Sequence, residues 1–383
     1  MAKSRKGSDR TRRAWRVQRP SIFFTACKAF ARAAARLFAV ALLLAAVWLA
    51  MPAAARSLDS LLIVADGAEY DAAGYSRVVT IGRPVVDIAA KLADEIEAGQ
   101  IEEDGPHRPA RLTAFSDAVL AEVPELFGYK SIQVVSQTFL PIELVRKEGI
   151  FLGDTVAVSH EFALPGRRFR RPLPREVVFA SYVIEAAMPM PEGQSRTEQD
   201  IVQVALELQQ AGAFPVRLNL DPAPDSLRRG LTRNDIAILH VDTHGAEKGR
   251  AIQTTHAGDL MSVGDIPRPV RVPLVLLFGC EGVADGGSFG SVLRTRGAEA
   301  VVSSFAKFES FGLTGDPARE KRIYQAFFAA LRSGENVANA LLRLRQAARD
   351  EMKLAATRPT LTRNFFALVG NGQLRFKRAA SAQ

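Results

Sequence analysis

The chain has 383 residues, 48% hydrophobic and 24% charged, which excludes a disordered or low-complexity polymer and suffices for at least one large core. Its net charge of +9 sits at one end: residues 1–55 carry eleven Lys and Arg against Asp9 alone, leaving 39 basic and 40 acidic residues in the rest. The body is nearly neutral, so the charge gives no ground for a nucleic-acid partner.

The basic end precedes "LFAVALLLAAVWLAM", residues 37–51, then Pro52 and Ala53-Ala54-Ala55. A positive leader, a short apolar core and an A-x-A site predict a secretory signal peptide cleaved after Ala55. Counted through Ala55 the apolar stretch reaches 19 residues, so an uncleaved membrane anchor with inner-membrane association through residues 37–55 is the alternative. Both place the body outside the cytoplasm, either periplasmic or held at the membrane. The expected division is a leader at 1–55, a segment of unassigned role at 56–110, a main domain at 111–376 and a tail at 377–383. With one cysteine in the leader, Cys27, and one in the body, Cys280, the mature chain has no internal disulfide.

In chain order, the body opens with a strand at Ser60 to Ala65 and helices at Val86 to Ala98 and Ala114 to Phe127, followed by an apolar alternation at Ser131 to Val135. The run "RRFRRPLPR", Arg167 to Arg175, cannot continue a helix and predicts a boundary or an exposed loop. Strands are then expected at Val177 to Val183, Phe214 to Leu220, Asp235 to Val241, Leu274 to Gly279 and Glu299 to Ser304. Helices are expected at Thr197 to Ala211, Ala223 to Gly230, Ser288 to Arg296, Pro317 to Arg332 and Val337 to Met352. Strands that are continuous apolar runs suit a mostly parallel sheet covered on both faces, a doubly wound α/β layer with active groups beyond the carboxyl ends of neighbouring strands.

Two of these strands end in reactive residues. "DIAILHVDTHG" puts His244 and Gly245 just past one, and "VPLVLLFGCEG" puts Cys280 just past the other. If the strands are neighbours, imidazole and thiol share a rim of the sheet and form a Cys-His dyad. A glycine at 245 then lets its N–H join that of Cys280 in an oxyanion hole. A rival motif, Gly286-Gly287-Ser288-Phe289-Gly290, spells G-x-S-x-G, but its strand has stopped by about Gly279 and all five histidines (107, 160, 240, 244 and 256) precede the serine. Ser288 is better read as a helix N-cap. The alternating His240, Asp242 and His244 suggest a third chemistry, a metal-dependent hydrolase, although His240 lies in an apolar run that suits a core histidine. No cofactor is expected.

These residues resemble the CHAT domain, a caspase-like cysteine peptidase domain of the clan that includes caspases, separases and gingipains. The resemblance covers about Leu112 to Phe376. It rests on "SIQVVSQTFLPIELV" with Leu140-Pro141 and Glu143, then "ILHVDTHG", "LLFGCEG", "RGAEAVVSS", "IYQAFFAALRSGENVANAL" and "NFFALVGNGQL", in that order. It implies a three-layer αβα sandwich, His244 as general base, Cys280 as nucleophile and a protein or peptide substrate. Phe305 or Ala306 stands where the family commonly has tryptophan. Asp242, Glu281 and Asp285 are candidate pocket acids for a basic side chain, which would make Arg167, Arg168, Arg170 and Arg171 a self-processing site. The competing function is a non-catalytic module that keeps the fold and binds a peptide or another partner.

Overall fold

A computed structural model describes residues 58–164, 166–178, 182–186, 216–220, 223–255, 258–307, 316–354 and 360–377. The leader, the expected helix at 197–211 and all but the first residue of the tail lie outside these. Among the described residues no helix is long and apolar enough to cross a membrane.

β1 (Leu58–Val64) and β2 (Arg77–Thr80) come first, followed by α1 (Arg83–Glu97) and α2 (Arg111–Glu122). β3 (Tyr129–Ser136) leads through a small hairpin, β4 (Arg146–Lys147) and β5 (Ile150–Phe151), to β6 (Ala157–Phe162). Next come β7 (Arg175–Val178), β8 (Tyr182–Ala186), β9 (Val216–Leu220), α3 (Pro224–Leu231) and β10 (Ile238–Asp242). A three-stranded sheet, β11 (Gly245–Ala246), β12 (Ala251–Gln253) and β13 (Leu260–Ser262), precedes β14 (Leu274–Phe278), α4 (Phe289–Thr295) and β15 (Ala300–Ser304). The last described elements are α5 (Pro317–Arg332), α6 (Val337–Leu354), β16 (Phe366–Gly370) and β17 (Leu374–Lys377).

Ten strands make one mostly parallel sheet in the order β2-β1-β3-β6-β16-β15-β14-β10-β8-β9. Every neighbouring pair is parallel except β15 with β16. Strands β2, β1, β3, β6 and β16 therefore run one way and the other five run the opposite way, so the carboxyl ends of the two halves open on opposite rims. The segment 58–110, whose role the sequence leaves open, supplies two strands and a helix to the first half.

The apolar runs are continuous because both faces are covered. On β14, Leu274, Leu276 and Phe278 pack with α5 and α6, while Val275 and Leu277 pack with Leu227 and Leu231 of α3 and Phe289 and Leu293 of α4. On β1, Leu61 and Ile63 meet α1 and α2; Leu62 and Val64 meet Tyr70, Tyr75 and Phe169. Helices thus lie on both faces of the second half.

Local chemistry moves several boundaries. α1 starts three residues earlier than its apolar periodicity predicts, because Pro84 is accommodated in the first turn after an extended Gly82. α2 stops at Glu122 because Val123 precedes Pro124, and a residue before proline is driven out of the helical region. The single strand expected at 177–183 is two: β7 pairs with β17 outside the main sheet, and β8 enters it beside β10.

β6 has no counterpart among the expected strands, since Ser159, His160 and Glu161 give it the look of a loop. Each is paired across the structure. Ser159 donates to the Gln133 amide oxygen at 2.9 Å, Glu161 meets Arg294 at 3.2 Å, and His160 Nε2 lies 2.9 Å from Glu143 Oε1. Glu143 also takes a hydrogen bond at 3.1 Å from Arg345 of α6, which in turn donates to the Phe366 carbonyl of β16. All three members of this ion cluster are buried. Burial opposes the Glu143 charge, but His160 and then Arg345 outweigh it and hold its carboxyl below the ordinary range.

Removing one partner of such a cluster leaves an uncompensated buried charge. Arg345→Ala is expected to cost about 3–5 kcal/mol in urea-denaturation free energy, and adding Glu143→Leu to recover part of that loss. An Arg345→Ala chain as stable as wild type would show that the cluster is not holding the fold.

Candidate active site

β10 and β14 are neighbours, parallel, with Asp242 opposite Phe278. The Thr243 N–H extends the ladder by donating to the Phe278 carbonyl at 3.0 Å. Counting two residues on from the last register pair reaches His244 on one chain and Cys280 on the other. His244 is exposed and Cys280 half-buried, both at the carboxyl rim of the second half.

Gly245 is where the two tips touch. A Cβ placed there would run into the Cys280 carbonyl oxygen and stand 3.1 Å from the carbonyl carbon and nitrogen of the same residue. The glycine is required for space, its φ being outside the left-handed region. Its backbone therefore lies against that of Cys280, as two donors converging on one oxygen need.

The Cys280 loop is tied down on its far side. Glu281 is left-handed, at φ 58°, and its N–H reaches the Ala306 carbonyl at 3.4 Å. The Val283 N–H donates to Ser304 at 3.1 Å, and Gly290 donates to Gly282 at 2.7 Å. The β11–β12 turn closes over the loop: Gly249, at φ 75°, comes so near that a Cβ would meet the Glu281 carbonyl carbon at 2.8 Å, and its own carbonyl accepts the Phe289 N–H at 2.7 Å. These supports, Gly249, Ser304 and Ala306, were not among the expected site residues. Only the glycine in "EKGR" carries a sequence signal, as a turn former. Phe305 and Ala306 are both buried, and Phe305 stacks on Phe139 with centroids 4.6 Å apart.

The three candidate pocket acids are placed differently from one another. Asp242 is buried at the end of β10. Glu281 is also buried; burial raises its pKa, while Lys307, 4.0 Å away, opposes the rise. Asp285 is half-buried beyond the loop, accepts the Gly287 N–H at 2.7 Å and faces Arg250 at 3.4 Å. Ser288 does occupy the N-cap position of α4, but its hydroxyl makes no cap bond. It is fully buried and donates instead to the Asp285 carbonyl at 2.6 Å, which leaves the G-x-S-x-G serine out of reach of a substrate.

His240 is a core histidine, edge-on to Phe278 with centroids 4.6 Å apart. Among the described residues, no group of three or more His, Cys, Asp or Glu is placed to hold a metal ion. His256 lies outside them.

No family model and no curated protein matches the chain. It is similar to solved structures. One is the separase of the Saccharomyces cerevisiae separase–securin complex, at 14% identity and a TM-score of 0.41, covering 64% of this chain and 15% of that one. Another is caspase-1 from Spodoptera frugiperda, at 13% identity and a TM-score of 0.32, covering 56% of this chain and 96% of that one. At these scores the likeness transfers neither residues nor activity, and the site stands on its own geometry.

Two outcomes follow from that geometry. Gly245→Ala is expected to force the strand tips apart, with a stability loss of about 1–3 kcal/mol by chemical denaturation; an unchanged midpoint would show that the tips are not in contact. Burial pushes the pKa of His240 down to about 3. The unfolded chain, with an ordinary histidine near 6.5, binds a proton there that the native state does not, so stability falls as pH drops from about 6.5 towards 3. His240→Leu should flatten that part of the pH–stability curve measured in urea, and an identical slope in both chains would refute the assignment.

Proposed function

We propose that this chain is a cysteine endopeptidase of the caspase-like, CHAT-domain type, with Cys280 as nucleophile and His244 as general base. The observation that carries the reading is the in-register meeting of the β10 and β14 tips, with the Gly245 and Cys280 backbones in contact. His244 takes the thiol proton, the thiolate attacks the scissile carbonyl, and the oxyanion is received by the N–H groups of Gly245 and Cys280. His244 then delivers the proton to the leaving amine, and water releases the acyl group from the sulfur. The substrate is a protein or peptide.

The leader belongs to the same proposal: export, with cleavage after Ala55 or retention of residues 37–55 as an anchor. Self-processing at the arginine run belongs to it as cleavage of one copy of the chain by another. Phe169 is bonded on both sides, donating to Glu69 at 2.8 Å and accepting from Asp71 at 2.9 Å. The run also follows β6, whose carboxyl end opens on the rim opposite that of β14.

Peptidase activity on fluorogenic substrates ending in Arg or Asp is expected to fall at least about a thousandfold in Cys280→Ala and His244→Ala. It should also be lost on treatment of the wild-type chain with iodoacetamide and survive a chelator. Activity that persists in Cys280→Ala, or that only the chelator abolishes, would overturn the dyad.

A further inference from the structure

A groove of about 460 Å³ lies where the loop after β6 passes the end of α4, lined in part by Arg167, Arg168, Arg170 and Arg294. A neighbouring hollow of about 620 Å³ shares Leu164, Arg167 and Thr295 with it and adds Arg268 and Arg296. Six arginines thus line two adjoining hollows, in a body whose charges otherwise nearly cancel. The described acids nearby are already engaged. Glu161 is held by Arg294 at 3.2 Å, and Asp265 accepts from Ser262 at 2.8 Å. Glu299 is paired with Arg175.

Arg170 and Arg268 have no carboxylate partner among the described residues, and the one carboxylate that acts on Arg167, Glu161, is already bound by Arg294. Burial and then the charge of Arg268 disfavour the Arg296 cation, and Asp265 opposes them, so arginine charge outnumbers carboxylate charge around the groove. A ligand carboxylate that enters such an excess of positive charge is attracted to it, and its binding stabilises the folded chain. Arginine forks also match carboxylates two bonds at a time.

We infer that this arginine groove binds an acidic, carboxylate-bearing peptide segment of a partner protein. A peptide is favoured over nucleic acid because, of the two aromatic rings lining the groove, Phe162 is buried in one core and Phe169 is partly buried against another, so neither offers the fully exposed face that base stacking uses. A peptide also fits the apolar flank offered by Leu164. The hollow reaches Gly286, in the loop that begins at Cys280, so a bound segment lies against that loop. The inference does not depend on the peptidase reading.

The test is fluorescence anisotropy of a labelled oligoglutamate peptide with the whole Cys280→Ala chain, so that binding is read whether or not the cysteine is catalytic. Binding is expected at low salt and weakens as salt rises. Joint Arg167→Glu and Arg170→Glu, both at exposed positions, should weaken it at least about tenfold at an unchanged melting temperature, while the two Lys replacements retain most of it. No binding of the peptide, equal binding by the charge-reversed chain, or tighter binding of a single-stranded oligonucleotide of equal charge would each overturn the proposal.

Discussion

A buried carboxylate organises this molecule. Glu143 has no access to solvent, and its charge is sustained chiefly by His160 from β6 and Arg345 from α6. Arg345 also binds the backbone of β16, so the cluster joins a loop, two strands and a helix around the junction between the sheet's two halves. The junction is the one antiparallel contact in the sheet, where strand direction reverses. Beside it a second buried arginine, Arg363, grips Asp154 with two hydrogen bonds of 2.9–3.0 Å and pairs with Glu103. In a low-dielectric interior such pairs act over short distances and tolerate little displacement, which fixes how one half meets the other.

That fixed junction bears directly on the candidate site. The Cys280 loop leans on β15 through Ser304 and Ala306, and β15 is the strand at the junction. On its other side the loop is pressed by two glycines, 245 and 249, where any side chain would collide with backbone. The Cys280 loop is therefore positioned by backbone contacts, which reposition less readily than side chains. The β10 tip carries His244 at the register position that matches Cys280.

The opposed directions of the two halves give the molecule two carboxyl rims. One bears His244 and Cys280. At the other, the loop after β6 and the end of α4 gather the arginines. Ligands of open α/β sheets bind beyond the carboxyl ends of strands, and each half of this sheet offers one such rim.

Much of this was legible in the sequence. Apolar runs such as "LVLLF" and "AILHV" identified strands covered on both faces, and the residues just past them identified the dyad candidates, because both signals are local. β6 was not legible: its polar centre is buried by partners from distant parts of the chain, among them Arg345 and Arg294. Nor could local sequence tell that Asp242 and Glu281 point into the protein while Asp285 faces Arg250, since burial of a loop acid depends on what folds over it. The sequence by itself determined the alternation of strands and helices and which residues stand at strand ends. Only the tertiary structure decided which ends are neighbours, which way each half runs and which charges are left without counter-charges, because those depend on contacts between segments far apart in the chain.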